Sequence, residues 1–454
     1  MKTLASAFRI LLPLLLLVTG VGRGMSQPYT VSHGYASDIK NCIVRTYSDL
    51  MTVSYVETST QHFFVHSDNA SFAVNAEISF SYQVEDMAVH GDFVYFCGRD
   101  KNTGSGLWGW FEINDLFYGT GNLYVHNAFT TVPVSVDSLH SLAVVEDGTL
   151  VRLAVVGQVD SVGNARACTM EITGTEGQVA GWSYTLGQST DKEERMTAVC
   201  VTDNYVVAAG TSHASLCSEV YRVYHRSSMF AASGGIYDTV LYFPGGGSVA
   251  VNHYWPGFAM THYKGDMIAT ATYIKTYLSY WQCGVMVSVY DIPSSIGTYG
   301  VMQVDSWGLL PYTPPWTYSI EGLRFSNATA RFALLLSGTF PQGSGSYIVD
   351  LSVSTGAAVF LFSSGKAFTS IDNNISQTKY IARGYDMSNP SQSLLLNDTY
   401  GNPQGCALSI SPQLDSYNTS SKFDPSPLRL YTGQFGCSTY VANLSSDPTN
   451  MVCP

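Results

Sequence analysis

One unit recurs along this chain and constrains its fold more than any other feature. It reads apolar strand, tight turn, apolar strand ending in glycine, variable loop, third strand. Met87 leads through the turn His90-Gly91-Asp92 into Val94 to Gly98, and Leu107 to Ile113 follows. Leu142, the turn Glu146 to Gly148, Leu153 to Gly157 and Ala167 to Ile172 repeat it. So do Met196 to Val201, Asp203-Asn204, Tyr205 to Gly210 and Ser218 to Tyr224. A fourth copy runs Phe258 to Tyr263, Lys264 to Asp266, Met267 to Tyr273 and Gly284 to Ile292. The fifth turns at Asn327 between Gly322 to Phe325 and Phe332 to Gly338, then continues in Tyr347 to Leu351. The sixth turns at Asn373-Asn374 between Phe368 to Ile371 and Tyr380 to Gly384, then continues in Ser393 to Leu396. Cys42 to Tyr47, Ser48-Asp49, Met51 to Val56 and His62 to His66 make a weaker first copy.

The turns recur every 42 to 62 residues, and a fourth apolar stretch follows most third strands: Asn122 to Val125, Val240 to Phe243, Ala357 to Phe362 and Leu408 to Ile410. Gly, Asn and Asp supply the positive φ that closes a tight hairpin. Continuous Val, Ala and Leu runs suit strands covered on both faces. Four strands per unit at this spacing predict an all-β fold, a β-propeller of four-stranded antiparallel blades, seven in number, with eight or six as alternatives. A closed ring also removes exposed sheet edges. The unit resembles a generic Kelch- or WD40-like blade over nearly the whole chain from residue 28. It lacks the Gly-Gly pair of the one and the Trp-Asp of the other, so the resemblance implies architecture and no activity. The segment from about 405 to 454, with Leu428 to Gly433 and Cys437 to Asn443, reads as a further partial unit that Tyr29 to His33 could complete, closing the ring of a single domain over 28–454.

Residues 1–27 carry Lys2 and Arg9, an apolar run from Ile10 to Val18, and small residues after it. This reads as a secretory signal peptide, too short in its apolar part to span a bilayer. Removing it leaves 19 basic against 34 acidic residues and a net charge of −15. The expected product is secreted or periplasmic, is not inserted in the membrane, and is a poor match for nucleic acid, whose binders rely on basic residues. Sequons stand at Asn69, Asn327, Asn374, Asn397, Asn418 and Asn443. The nine cysteines show no C-x-x-C spacing. Cys406, Cys437 and Cys453 offer the best place for a disulfide, with buried free thiols as the alternative. Cys168, Cys217, Cys283 and Cys437 open the third strand of different units. Equivalent positions on packed sheets lie about 10 Å apart or more, too far for a disulfide.

Catalytic signatures are scarce. Gly104 to Gly109 fits G-x-G-x-x-G by letters but precedes a strand, not a helix. His62 and His66 share a strand face without a carboxylate partner. Glu85-Asp86 and Glu193-Glu194 are adjacent acids whose side chains, in a regular strand, point to opposite faces. No cofactor or metal is expected, and no catalytic residue is assigned. Loop-rich ends of folds carry binding. Here the loops around units four and five concentrate aromatics: Tyr254, Trp255, Tyr280, Trp281, Trp307, Tyr312, Trp316 and Tyr318. Such residues stack on sugars or anchor protein partners, and they also wedge between blades. The expected function is non-enzymatic binding of a glycan or extracellular protein through these loops. A polysaccharide-degrading enzyme using acids such as Asp305 or Glu321, or a purely structural or adhesion module, are the alternatives.

Overall fold

Each recurrent turn brings two apolar strands side by side, and in the computed structural model of the chain every unit closes as a small antiparallel sheet. The described residues are 30–35, 37–49, 51–59, 61–67, 73–76, 82–114, 124–127, 138–147, 150–161, 164–175, 178–186, 194–212, 218–229, 239–242, 258–277, 281–298, 302–309, 317–340, 343–402, 416–418 and 439–440. Their strands form seven sheets. The inner strands, in order from sheet 1 to sheet 7, are Asn41–Ser48, Tyr82–His90, Ser138–Asp147, Glu194–Val201, Phe258–Lys264, Thr317–Ser326 and Lys366–Asn373. In sheets 1 to 6 the next three strands of the chain follow outward in sequence order. The inner strands lie against one another in that order, and the seventh meets the first.

Sheet 7 differs. Its outermost strand is Thr30–Gly34, antiparallel to Asn389–Thr399, with Thr30 opposite Leu396 and Gly34 opposite Gln392. The N-terminal strand therefore completes the sixth copy of the unit, and not a partial unit at 405–454 as the sequence suggested. The apolar stretch Leu408 to Ile410, expected as a fourth strand, lies outside the described residues. Of the C-terminal segment, Ser416–Asn418 pairs with the outer edge of sheet 5 and Thr439–Tyr440 with that of sheet 6. The expected signal at 1–27, the rest of 405–454, and Cys217, Cys406, Cys437 and Cys453 lie outside the described residues.

Hydrophobic burial is divided among the boundaries between sheets. Val53, Phe63 and Val65 of sheet 1 meet Met87, Phe96 and Phe111 of sheet 2. Ala271 and Val287 of sheet 5 meet Leu323, Phe332 and Leu334 of sheet 6. The boundary of sheets 7 and 1 has two small groups, Ile39, Cys42 and Val56, and Val44, Ile381 and Leu395.

Turn chemistry follows the sequence in part. Gly91 and Gly265 hold φ of 55° and 54°. In units five and six the positive φ falls on Ala330 and Gln377, not on the asparagines. Those asparagines stand at longer turns that side chains organise: Asn374 Oδ1 accepts from the amides of Thr378 (2.9 Å) and Lys379 (2.8 Å). Among the described residues no helix is long and apolar enough to cross a membrane.

Candidate functional site

The antiparallel order puts the short hairpins of the first and second strands at one end of the ring, the hairpin end. The loops between second and third strands and the connections between sheets come together at the other, the loop end. Near the loop end, five of the seven inner strands carry a β-bulge. The unpaired residues are Glu85, His140, Thr197, Glu321 and Thr369. In sheets 1 and 5 the irregularity falls at Tyr47 and Tyr263, beside the hairpin.

The bulge gives the glycine that ends the second strand of the repeat its reason. A Cβ at Gly98, Gly157, Gly210 or Gly384 would lie 1.8, 2.1, 1.8 or 1.9 Å from the carbonyl oxygen of Gln83, Ser138, Arg195 or Ala367. In every case that carbonyl belongs to the residue two before the bulged one. A bulge re-aims a side chain, and all five bulged residues line one cavity of about 520 Å³ on the ring axis, walled by the inner strands of all seven sheets.

The acidic and basic side chains of the cavity wall are gathered on one side. Sheets 6, 7, 1 and 2 contribute Glu321, Arg324, Asp372, Arg45, Glu85 and Asp86, whereas sheets 3, 4 and 5 contribute His140, Ser141, Thr197, Thr261 and His262 beside Leu142, Val199 and Met260, which also pack in the cores between sheets. Arg45 pairs with Asp86, and Arg324 Nε meets Asp372 Oδ1 at 2.8 Å. Asp86 Oδ2 also accepts from Ser141 Oγ (2.8 Å) and the Leu142 amide (3.1 Å), and Asp372 Oδ2 from the Thr46 amide (2.9 Å). These two aspartates lace neighbouring sheets together.

The bulged residues are less fully committed. Glu85 accepts from Gln83 Nε2 at 2.7 Å. Burial, with the nearby Glu57, pushes its carboxyl above the ordinary range. Glu321 is raised by burial although the Ser319 hydroxyl donates to it. His140 Nε2 lies 2.9 Å from Ser138 Oγ, and burial helped by Arg195 and Arg99 lowers its imidazole to about 4, so it is neutral at pH 7. Thr197 Oγ1 is buried without a hydrogen-bond partner. Thr369 is occupied: its hydroxyl donates to the Cys42 carbonyl at 2.8 Å.

Of the aromatic residues singled out in the sequence, Tyr254, Trp255, Tyr280, Tyr312 and Trp316 lie outside the described residues. Trp281 opens the third strand of sheet 5 and Trp307 lies within its fourth, opposite Val287. Both belong to strands and not to loops, because sheet 5 runs further outward than the repeat suggested. Tyr318 is a correction of another kind. It is 4% exposed, in the core between sheets 5 and 6, with its ring stacked 5.4 Å from Phe340. It follows the inner-strand residue Thr317, where a side chain turns into a sheet boundary.

Glu85 and Asp86 are also corrected: the bulge overrides strand alternation and both line the cavity. His62 touches the Tyr35 ring (centroids 4.9 Å) and Thr58 Oγ1 (3.3 Å). Among the described residues no group of three or more His, Cys, Asp or Glu is placed to hold a metal ion. Cys42, Cys97 and Cys200 are buried free thiols, with burial pushing Cys42 and Cys200 up to about 12. His140 and Thr197 were missed because a lone His or Thr in a strand carries no local signal. The signal that could have found them is the glycine opposite, whose lack of a Cβ marks the bulge.

No family model matches the chain, and no curated protein matches it. Among solved structures, the polysaccharide lyase Uly1 aligns with 84% of this chain and 94% of its own, at 9% identity and a TM-score of 0.51. The β-propeller domain of the Trilobed protease from Pyrococcus furiosus aligns over 80% and 100% at 8% identity and 0.46. Hydrazine synthase of Kuenenia stuttgartiensis aligns over 83% of this chain and 97% of its own at 10% identity and a TM-score of 0.46. At 9% identity the first likeness concerns fold alone. With antiparallel sheets set in order around one axis, and with that likeness of fold, the chain is an all-β protein of the β-propeller kind.

Proposed function

We propose that this chain is an exported, seven-bladed propeller of four-stranded blades that binds a glycan, without chemistry, at the loop end of its axial cavity. One observation carries the reading. Bulges at the same level of five inner strands direct Glu85, His140, Thr197, Glu321 and Thr369 to a cavity of about 520 Å³. That volume is in the range of small-molecule and sugar sites, roughly 300–1,000 Å³, and bulges concentrate beside functional sites. The segments bearing Tyr254, Trp255, Tyr280, Tyr312 and Trp316 join strand ends at this same end of the ring, which supports them as the aromatic rim of the site.

The test is a glycan array probed with the chain from residue 28 onward. Binding is expected, weakened by Trp316→Ala. A blank array with well-folded protein sinks the carbohydrate reading. Release of shortened sugars from a bound glycan would make the protein an enzyme, with Glu85 and Glu321 as the first residues to replace.

A further inference from the structure

Three of the sequons lie wholly within the described residues: Asn327 with Thr329, Asn374 with Ser376, and Asn397 with Thr399. The first two stand in the same place of successive units, the hairpins of sheets 6 and 7, yet their surroundings differ. Asn374 is buried, and both ends of its side-chain amide are in use. Its Oδ1 accepts from the amides of Thr378 and Lys379, and its Nδ2 donates to Ser376 Oγ at 2.7 Å and to Asp49 Oδ1 of sheet 1 at 3.3 Å. A glycan on Nδ2 would take one of its two hydrogens and would need room that a buried amide lacks. The Ser376 amide donates to the same Asp49 oxygen at 2.6 Å, so this sequon is part of the tie between sheets 7 and 1. Asn397 is buried in the third strand of sheet 7, opposite Ile381.

Asn327 is the reverse case. It and Ala328 are exposed at the tip of the sheet 6 hairpin. Its main-chain N–H donates to Gln377 Oε1 at 2.7 Å, and the buried Ser326 Oγ accepts from the Thr329 amide (3.0 Å) and hydroxyl (2.6 Å). Ser326 Oγ donates in turn to the Gln377 carbonyl at 2.5 Å. None of these bonds uses Asn327 Nδ2, so the hairpin keeps its shape with a sugar attached there. The hairpin end is also opposite the loop end, which leaves the candidate site open.

We propose that Asn327 is a site of N-linked glycosylation in the exported chain, whereas Asn374 and Asn397 stay bare in the folded protein despite carrying the same signal. In the transfer, Asn327 Nδ2 attacks the anomeric carbon of an oligosaccharide carried on a lipid diphosphate. A C–N bond forms, the C–O bond to the diphosphate breaks, the lipid diphosphate leaves, and the amide gives up one proton. The Thr329 hydroxyl, which the transfer requires, is engaged in the folded turn, so the step belongs to the nascent chain. A chain modified at Asn374 at that stage loses the amide that organises the sheet 7 hairpin. This inference rests on the export reading and is independent of what the loop end binds.

The test expresses two chains in a glycosylating animal cell line, the full chain and residues 28–454 behind a proven secretory leader. Released protein is deglycosylated enzymatically in heavy-oxygen water, which turns each occupied Asn into a labelled Asp, and is mapped by mass spectrometry. Label is expected on Asn327 and on neither Asn374 nor Asn397. Asn327→Gln should lose that glycan while release and thermal midpoint hold. Unlabelled Asn327 in released, folded protein would overturn the site. Label on Asn374 or Asn397 in folded protein would overturn the argument from burial. Release of the second chain alone would remove the export reading beneath the inference, while its Asn327 peptide still decides the site.

Discussion

Gly98→Ala tests whether the glycine of the repeat exists for the bulge. The added Cβ would sit 1.8 Å from the Gln83 carbonyl oxygen, 2.9 Å from its carbon and 3.0 Å from Val84 Cα. All three are backbone atoms, so no rotamer change relieves the clash, and the inner strand must shift or lose its bulge. Overpacking a fitted interior costs about 1–3 kcal/mol, and a backbone collision belongs at or above the top of that range. A loss of about 3 kcal/mol is roughly a hundredfold in the folding equilibrium. Gly91→Ala is the control. Gly91 has φ of +55° with nothing within 4 Å of the new Cβ, so alanine there incurs only the left-handed backbone penalty, about 1–2 kcal/mol. Urea unfolding followed by tryptophan fluorescence should rank Gly98→Ala as the worse of the two. Gly157→Ala, Gly210→Ala and Gly384→Ala should behave like Gly98→Ala. If Gly98→Ala proves no more harmful than Gly91→Ala, the account of the repeat glycine is wrong.

Asp86→Ala should destabilise by about 3–5 kcal/mol, as expected when one partner of a largely buried pair is removed, since Arg45 loses its carboxylate partner and Ser141 Oγ and the Leu142 amide lose the acceptor they share; denaturant midpoints check this, and the double variant Arg45→Met with Asp86→Leu should recover part of the loss. Burial raises the Glu321 carboxyl in the folded state. Its contribution to stability is therefore full below the unfolded value of about 4.3 and lost as pH rises through the folded value. Glu321→Gln and the wild type should melt together near pH 3 and separate in favour of the variant toward pH 7, by scanning calorimetry. In a glycosylating host, peptide mapping of the secreted chain should find a glycan on exposed Asn327 and none on Asn374 or Asn397. The latter two are 4% and 5% exposed, and Asn374 Nδ2 is bonded to Ser376 Oγ at 2.7 Å.

Much of the architecture was legible because a blade repeats. Met87, Val94 and Leu107 recur as positions in every unit, and each strand they announce is present. Sheet 7 was misread because its edge strand, Thr30–Gly34, stands more than 350 residues from its partner Asn389–Thr399, and a local pattern cannot pair such distant segments. The site was less legible. A bulge inserts one residue that hydrophobic alternation does not register, so Glu85-Asp86 read as a pair facing apart when both line the cavity. Tyr318 read as a rim residue because Pro311 to Trp316 before it looks like loop, although its own strand begins at Thr317.

The boundary where sheet 7 meets sheet 1 shows how the ring fixes its own closure. Its apolar groups are small, and its inner strands are joined by side-chain hydrogen bonds. The amides of Cys42, Val44 and Thr46 donate to Thr369 Oγ1 (3.1 Å), Ser370 Oγ (3.2 Å) and Asp372 Oδ2 (2.9 Å) in turn. Arg383, 1% exposed, reaches Ser54 Oγ at 3.3 Å and Ser393 Oγ at 3.0 Å, tying the second strand of one sheet to the third of the other. Apolar contacts tolerate a slipped neighbour, whereas three amides meeting three acceptors at alternate residues do so in one register only. Sheet 7 joins segments far apart in the chain, Thr30–Gly34 with Asn389–Thr399, and such non-local pairings carry loop-closure entropy that local ones do not. A boundary that is weak until its register is right, and then satisfied at every polar atom of that ladder, favours the correct ring over a slipped one. The same Asp372 that takes the Thr46 amide also holds Arg324 of sheet 6, so the closing register and the polar wall of the cavity are set by one side chain.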